Sequence, residues 1–142
     1  MKLNVASDFF KSLRSETNNA SEIKIYERFI GLISNLENRN FENEALEAIE
    51  TKLDDLKLKS NPPNRKKFFR KKLNEFKKYL SSKFSLISEG YYTAIGISLG
   101  VAFGAAFGSV FGLGIGVSFG MIIGLIIGAI LDSEAKKQNR VL

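Results

Sequence analysis

The 42 residues from Gly90 to Leu131, GYYTAIGISLGVAFGAAFGSVFGLGIGVSFGMIIGLIIGAIL, lie between Glu89 and Asp132 and hold no charged side chain. A straight helix of that length would measure about 63 Å against a hydrocarbon core of about 30 Å, so two spans fit where one does not. In the middle of the run Gly112, Leu113 and Gly114 offer the conformational freedom of glycine, which predicts a turn there. The expected spans run from Tyr91 to Val110 and from Ile115 to Leu131. Tyr91 and Tyr92 then stand at the membrane interface as anchors, where an apolar ring with a polar tip is favoured. A single-span or re-entrant segment is the alternative topology. A soluble fold would have to bury the whole run inside a large complex.

Within the run Gly96, Gly100, Gly104, Gly108, Gly112, Gly116, Gly120, Gly124 and Gly128 recur at every fourth position. Glycine costs a helix about 1 kcal/mol per residue relative to alanine, so such a series needs a packing reason. In lipid no hydrophobic force draws helices together, and missing side chains let backbones approach and gain dispersion and weak Cα hydrogen bonds. Before every glycine stands a large residue: Ile95, Leu99, Phe103, Phe107, Phe111, Ile115, Phe119, Ile123 and Ile127. This pattern resembles the glycine-zipper membrane proteins, whose repeated GxxxG segments pack helices closely and often support homo-oligomers or pores. The likeness covers about Ile95 to Gly128. It implies a packing mode rather than a particular activity. Outer-membrane lipoproteins with a comparable two-span zipper begin with a signal peptide and a lipidated cysteine; this sequence has neither, so the resemblance does not imply their cellular role.

The position two after each glycine lies about 200° around the helix, on the opposite face. In the first span it is small, at Ser98, Ala102 and Ala106, whereas the second begins with Ser118 and becomes large at Ile122, Ile126 and Ile130. The first span therefore has two faces suited to close packing and the second has one. The expectation is that the first is the inner helix, touching its hairpin partner on one side and a neighbouring subunit on the other. Alternatively, both small faces are used inside one monomeric hairpin.

Charge is distributed as unevenly as glycine. Residues 1–64 carry nine Lys or Arg against eleven Asp or Glu, while residues 65–83 carry nine basic residues against Glu75 alone, within a net charge of +6. Phe69, Leu73, Phe76, Leu80, Phe84 and Ile87 form one apolar stripe in this segment, so residues 65–89 read as a basic amphipathic juxtamembrane helix. Arg65, Lys66, Lys67, Arg70, Lys71, Lys72, Lys77, Lys78 and Lys83 are its expected contacts with anionic lipid headgroups. The competing readings are a solvated basic face packed on the N-terminal domain, and nucleic-acid binding, for which no base-reading motif is present. Basic residues precede the first span, and Lys136, Lys137 and Arg140 follow the second in a basic tail of residues 132–142. The positive-inside rule then places both termini in the cytosol, at the inner or plasma membrane. Lys2, Asp8, Lys11 and Arg14 interrupt the apolar residues of Met1 to Ser15, unlike a secretory signal.

Residues 1–60 read as a cytosolic helical domain. A first helix contains Phe9, Phe10 and Leu13, with Ser7 or Asp8 as its cap; a second, capped by Ser21, carries Ile25, Tyr26, Phe29, Ile30, Ile33 and Leu36. A third, capped by Asn40, carries Leu46, Ile49, Leu53 and Leu56 at heptad spacing. The second and third suggest an antiparallel pair closed by the first, with a core small enough to need self-association or a protein partner. Pro62 and Pro63 make residues 61–64 a hinge. The fold class is thus all-α: a cytosolic helical hairpin or bundle, a basic amphipathic surface helix and a two-helix transmembrane hairpin.

With no histidine and no cysteine, thiolate nucleophiles, histidine bases and the usual zinc sites are excluded. No catalytic, cofactor or metal residue is expected. Asp132, Glu134, Lys136 and Lys137 read as a solvated helix end, and Asp54 with Asp55 as a surface turn. The expected function is a homo-oligomeric pore, channel or membrane-perturbing protein with a cytosolic regulatory domain. A membrane-anchored scaffold is the alternative, and no nucleic acid is expected as a partner.

Overall fold

A computed structural model describes the backbone of residues 1–142 and all side chains except those of residues 109–111. Phe111, one of the large residues expected before the glycines, falls on a side chain outside the described residues. Six helices are present: α1 (Leu3–Glu16), α2 (Ala20–Glu37), α3 (Asn43–Asp55), α4 (Arg65–Phe84), α5 (Tyr91–Phe111) and α6 (Leu113–Lys137). They form two compact units, residues 1–85 with Leu142, and residues 86–141.

In the first unit α1 and α2 run antiparallel through the short Thr17–Asn19 connection, with Phe10 stacked on Phe29 at 4.1 Å between ring centroids. This differs from the pairing expected between α2 and α3. The most extensive packing of α2 is on α1 and α4, while α3 lies against α4. The apolar stripe of α4 is the reason. Phe69, Leu73, Phe76 and Leu80 are buried, and Phe69 meets the rings of Phe10 and Tyr26 edge-on at 5.8 and 5.3 Å. Burying side chains of this size contributes roughly 1.5–3 kcal/mol each, which favours enclosing them among α1, α2 and α3. Residues 65–84 therefore belong to the helical domain rather than standing apart from residues 1–60. Val5 is the only large apolar residue of the first unit that is prominently exposed among the described residues. The largest buried side chains of the unit, Tyr26, Phe10, Phe29, Phe69 and Phe76, are enclosed by its own helices.

The helix ends depart from the sequence expectations at several positions, some through local caps and one through a tertiary contact. The first helix begins at Leu3, ahead of Ser7 and Asp8, because Glu50 of α3 accepts the Leu3 N–H at 3.2 Å. Asn19 rather than Ser21 caps α2, its Oδ1 accepting the Ser21 N–H at 3.0 Å. Helix α3 starts at Asn43, so Asn40 is not its cap. After the proline pair, Asn64 caps α4 by accepting the Lys67 N–H at 2.9 Å. Helix α4 stops at Phe84, short of the expected Ile87 and residue 89, because Ser85 takes a left-handed conformation with φ of 54°. The Ile87 N–H instead donates to the Arg140 carbonyl at 2.8 Å.

The second unit is the hairpin of α5 and α6. The turn is tighter than expected: Gly112 alone connects the helices, with φ 98° and ψ 127°, and Leu113 and Gly114 already belong to α6. Helix α6 also continues beyond the apolar run to Lys137, making half of the expected tail helical.

A small polar cluster ties α3 to α4. Glu75 accepts from Lys52 Nζ at 2.9 Å and from Lys72 Nζ at 3.2 Å, while the Tyr79 hydroxyl donates to the Ala48 carbonyl. The Lys52 hydrogen bond is the main influence holding the Glu75 carboxyl below the usual carboxylate range; partial desolvation opposes it and Lys72 assists. A carboxylate depressed on folding adds stability above its unfolded pKa, about 4.3 for glutamate, and loses that stability as pH falls through the folded value. Acidification below pH about 4 should therefore loosen the contact between α3 and α4. Hydrogen exchange across residues 43–84 should accelerate in that window in wild type, and Glu75→Gln should be faster at neutral pH with a flatter acid response.

Candidate functional site

The two glycine runs share a step of four, so a single antiparallel pairing brings them into contact along the hairpin. Gly96 faces Gly124, Gly100 faces Gly120, Gly104 faces Gly116, and Gly108 faces Leu113 at the start of α6. A Cβ built on Gly96, Gly100 or Gly104 would lie closer than 3.0 Å to the carbonyl oxygen of its opposite glycine, and the reverse holds for Gly116, Gly120 and Gly124. The Cα hydrogen occupies that direction instead, which is the arrangement of a Cα–H···O contact. At the open end a Cβ on Gly128 would sit 2.5 Å from Thr93 Cα. Gly112 forms the turn, and Gly114, outside the series, has open space around it.

This pairing sets the outer surfaces. The residues before the glycines form two ridges, Leu99, Phe103 and Phe107 on α5 and Ile115, Phe119, Ile123 and Ile127 on α6, flanking an apolar groove of about 780 Å³ floored by glycine backbone. Phe103 is 62% exposed and Phe119 65%. Away from the seam Ser98, Ala102 and Ala106 are exposed on α5, and Ser118, Ile122, Ile126 and Ile130 on α6. The Ser98 hydroxyl donates to the Ala94 carbonyl and that of Ser118 to the Gly114 carbonyl, both at 2.8 Å. Each therefore has a partner inside its own helix, as an apolar surrounding requires. Using both small faces of α5 inside one hairpin is not what the structure does: the glycine face meets α6 and the alanine face stays exposed.

Asp132 has a role that the sequence reading missed. Its Oδ1 and Oδ2 accept the N–H groups of Tyr92 and Thr93, each at 2.9 Å, so α6 supplies the cap for α5. The position is legible in retrospect. Asp132 follows Gly128 by four residues, continuing the glycine register along the seam. The exposed Lys136–Glu89 pair beside it, at 3.3 Å, adds little. Tyr91 is exposed and Tyr92 half-buried, with ring centroids 5.3 Å apart.

The expected headgroup-binding set divides. Lys66, Lys67, Arg70, Lys71, Lys78 and Lys83 are exposed, whereas Arg65, Lys72 and Lys77 are half-buried. Lys72 engages Glu75, and burial, followed by the nearby Arg28 charge, lowers the Lys77 pKa. Because the apolar stripe is enclosed in the first unit, α4 does not present it to lipid, which corrects the surface-helix reading. Among the described residues no cluster of His, Cys, Asp and Glu is suited to a metal ion.

Residues 88–134 match the family model described as Glycine zipper membrane protein, a stretch containing the whole seam and Asp132 but none of the first unit. No curated protein and no solved structure matches the chain. Among the described residues, two helices are long and apolar enough to cross a bilayer, over Tyr91–Gly108 and Leu113–Lys137. Together the match and the two helices make this a membrane protein.

The seam predicts a contrast between glycines. Gly100→Ala should push the helices apart at a cost of roughly 1–3 kcal/mol, whereas Gly114→Ala should be neutral or slightly stabilising. Asp132→Ala should cost about 0.5–2 kcal/mol through the lost cap. Unfolding of the variants in mild detergent, followed by exchange protection in α5, would measure all three. Equal effects at Gly100 and Gly114 would contradict the seam.

Proposed function

We propose that this membrane protein acts as a homo-oligomer whose hairpins associate through the outer face of α5, forming a pore or membrane-perturbing assembly, with residues 1–85 as its cytosolic regulatory or recruiting unit. The observation that carries this reading is the exposed row of Ser98, Ala102 and Ala106 on a helix whose glycine face is already engaged. Close helix association in lipid depends on such small faces, because apolar bulk alone gives no preference for protein over acyl chains. A neighbouring subunit would gain a backbone approach at α5 that α6, with Ile122, Ile126 and Ile130, does not offer.

Any pore in this assembly would be lined by other uncharged residues of the apolar run, since the seam glycines face one another and Ser98, Ala102 and Ala106 would face the neighbouring subunit. With no ionisable residue inside the apolar run, such a pore would be gated by helix tilt or dewetting and would lack the groups that mark proton or ion coupling. Both ends of the hairpin are assigned to the cytosol on the strength of the flanking basic residues. A membrane-anchored scaffold is the second reading, supported by a first unit that encloses its own apolar core. A partner there would meet polar surface rather than an unfilled apolar groove.

The two readings separate at one position. Ala102→Leu should overpack the neighbouring subunit and reduce assembly, at roughly 1–3 kcal/mol per contact, while Ile126→Leu should change almost nothing because it exchanges one lipid-facing side chain for another. Crosslinking in native membranes reads both. Unaltered assembly of the Ala102 variant would reject the α5 interface and favour the scaffold.

A further inference from the structure

Helix α4 separates its charges as well as its apolar residues. With Phe69, Leu73, Phe76 and Leu80 turned into the domain, the 100° step of a helix sets Lys67, Arg70, Lys71 and Lys78 on the outward side with Asn74 among them. All five are exposed. The only acid of the helix, Glu75, lies toward α3, where Lys52 and Lys72 hold it. None of the four outward cations has an ion-pair partner among the described residues, so the stripe is unneutralised. The eleven acids of residues 1–64 are carried by the other part of the domain.

We infer that this outward stripe, Lys67, Arg70, Lys71 and Lys78, docks on anionic lipid headgroups by charge alone, with the apolar face of α4 turned away from the bilayer. The orientation is the reverse of an amphipathic helix that inserts its apolar stripe. Such a contact has no acyl-chain anchorage and is therefore released by salt while the hairpin stays embedded. The membrane is favoured over other polyanions by the covalent chain: only residues 85–90 separate the end of α4 from the start of α5. Six residues span at most about 20 Å, which confines the stripe to the neighbourhood of the surface that the hairpin enters. Lysine, a hydrated point charge, suits diffuse attraction to a lipid surface better than the paired geometry by which arginine grips individual phosphates. This inference rests on the membrane hairpin and is independent of the oligomer interface.

The chain has no cysteine, so one introduced at Asn74 reports on the stripe alone. With a fluorophore at Asn74→Cys, the full-length protein is reconstituted in neutral vesicles and in vesicles containing phosphatidylglycerol, each with a headgroup-attached quencher. Strong quenching is expected only with anionic lipid at about 0.1 M salt, falling to the neutral-vesicle level at about 1 M, where the screening length is about 3 Å. Changing the four stripe residues to Gln should abolish the anionic-lipid quenching, while the same charge removal at Lys2, Lys11, Lys24 and Lys59 should leave at least half of it. An unchanged helical signal in both variants separates loss of docking from loss of fold. Quenching that ignores lipid charge or salt would overturn the inference. So would equal loss in both charge variants, or protection of the fluorophore by duplex nucleic acid with no response to anionic lipid. Ala102→Leu should leave the quenching intact, so failure of the oligomer interface and failure of docking are distinguishable.

Discussion

Backbone meeting backbone along the glycine seam is the contact from which the rest of the hairpin follows. A carbonyl oxygen of one helix occupies the place where a side chain would start on the other, at Gly96, Gly100 and Gly104 and at their opposites Gly124, Gly120 and Gly116. Helices this close admit no larger residue on that line, so the large residues are displaced to the flanks, where Leu99, Phe103 and Phe119 border the groove. The turn obeys the same constraint. Joining two helices in such proximity leaves room for Gly112 alone, at a φ of 98° that other residues rarely adopt.

The seam ends in a polar device rather than another glycine. Once Gly128 packs on Thr93, the next turn of α6 brings Asp132 over the first turn of α5, whose N–H groups have no partner in their own helix. Apolar approach and charged cap thus reinforce one register. A shift by one turn would move the carboxylate away from Tyr92 and Thr93. Ser98 and Ser118 satisfy their hydroxyls internally, which leaves the outer surfaces apolar and the small face of α5 suited to another helix.

In the first unit the governing economy is that of a small core. Helix α4 contributes four buried apolar residues, and its aromatic ring at Phe69 joins Phe10, Tyr26 and Phe29 in one cluster. Three short helices alone would leave that cluster open to water. Closing it fixes which side of α4 is outward and gathers Lys67, Arg70, Lys71 and Lys78 into a common stripe. The same event that completes the core creates the charged surface.

The sequence alone determined that the chain has a two-helix, glycine-packed segment, because an uncharged run of 42 residues and a four-residue glycine step each have few physical solutions. It also determined the helical character of residues 1–84, through period and proline position. It did not determine what each amphipathic face meets, since a stripe such as Phe69, Leu73, Phe76 and Leu80 is equally apolar toward lipid or toward protein. Nor did it show that Glu50 starts α1 or that Asp132 caps α5, since the paired groups lie 47 and about 40 residues apart. Those contacts exist only after the helices are placed side by side. Periodicity is written into neighbouring residues, whereas the partner of a face depends on where distant parts of the chain come to rest.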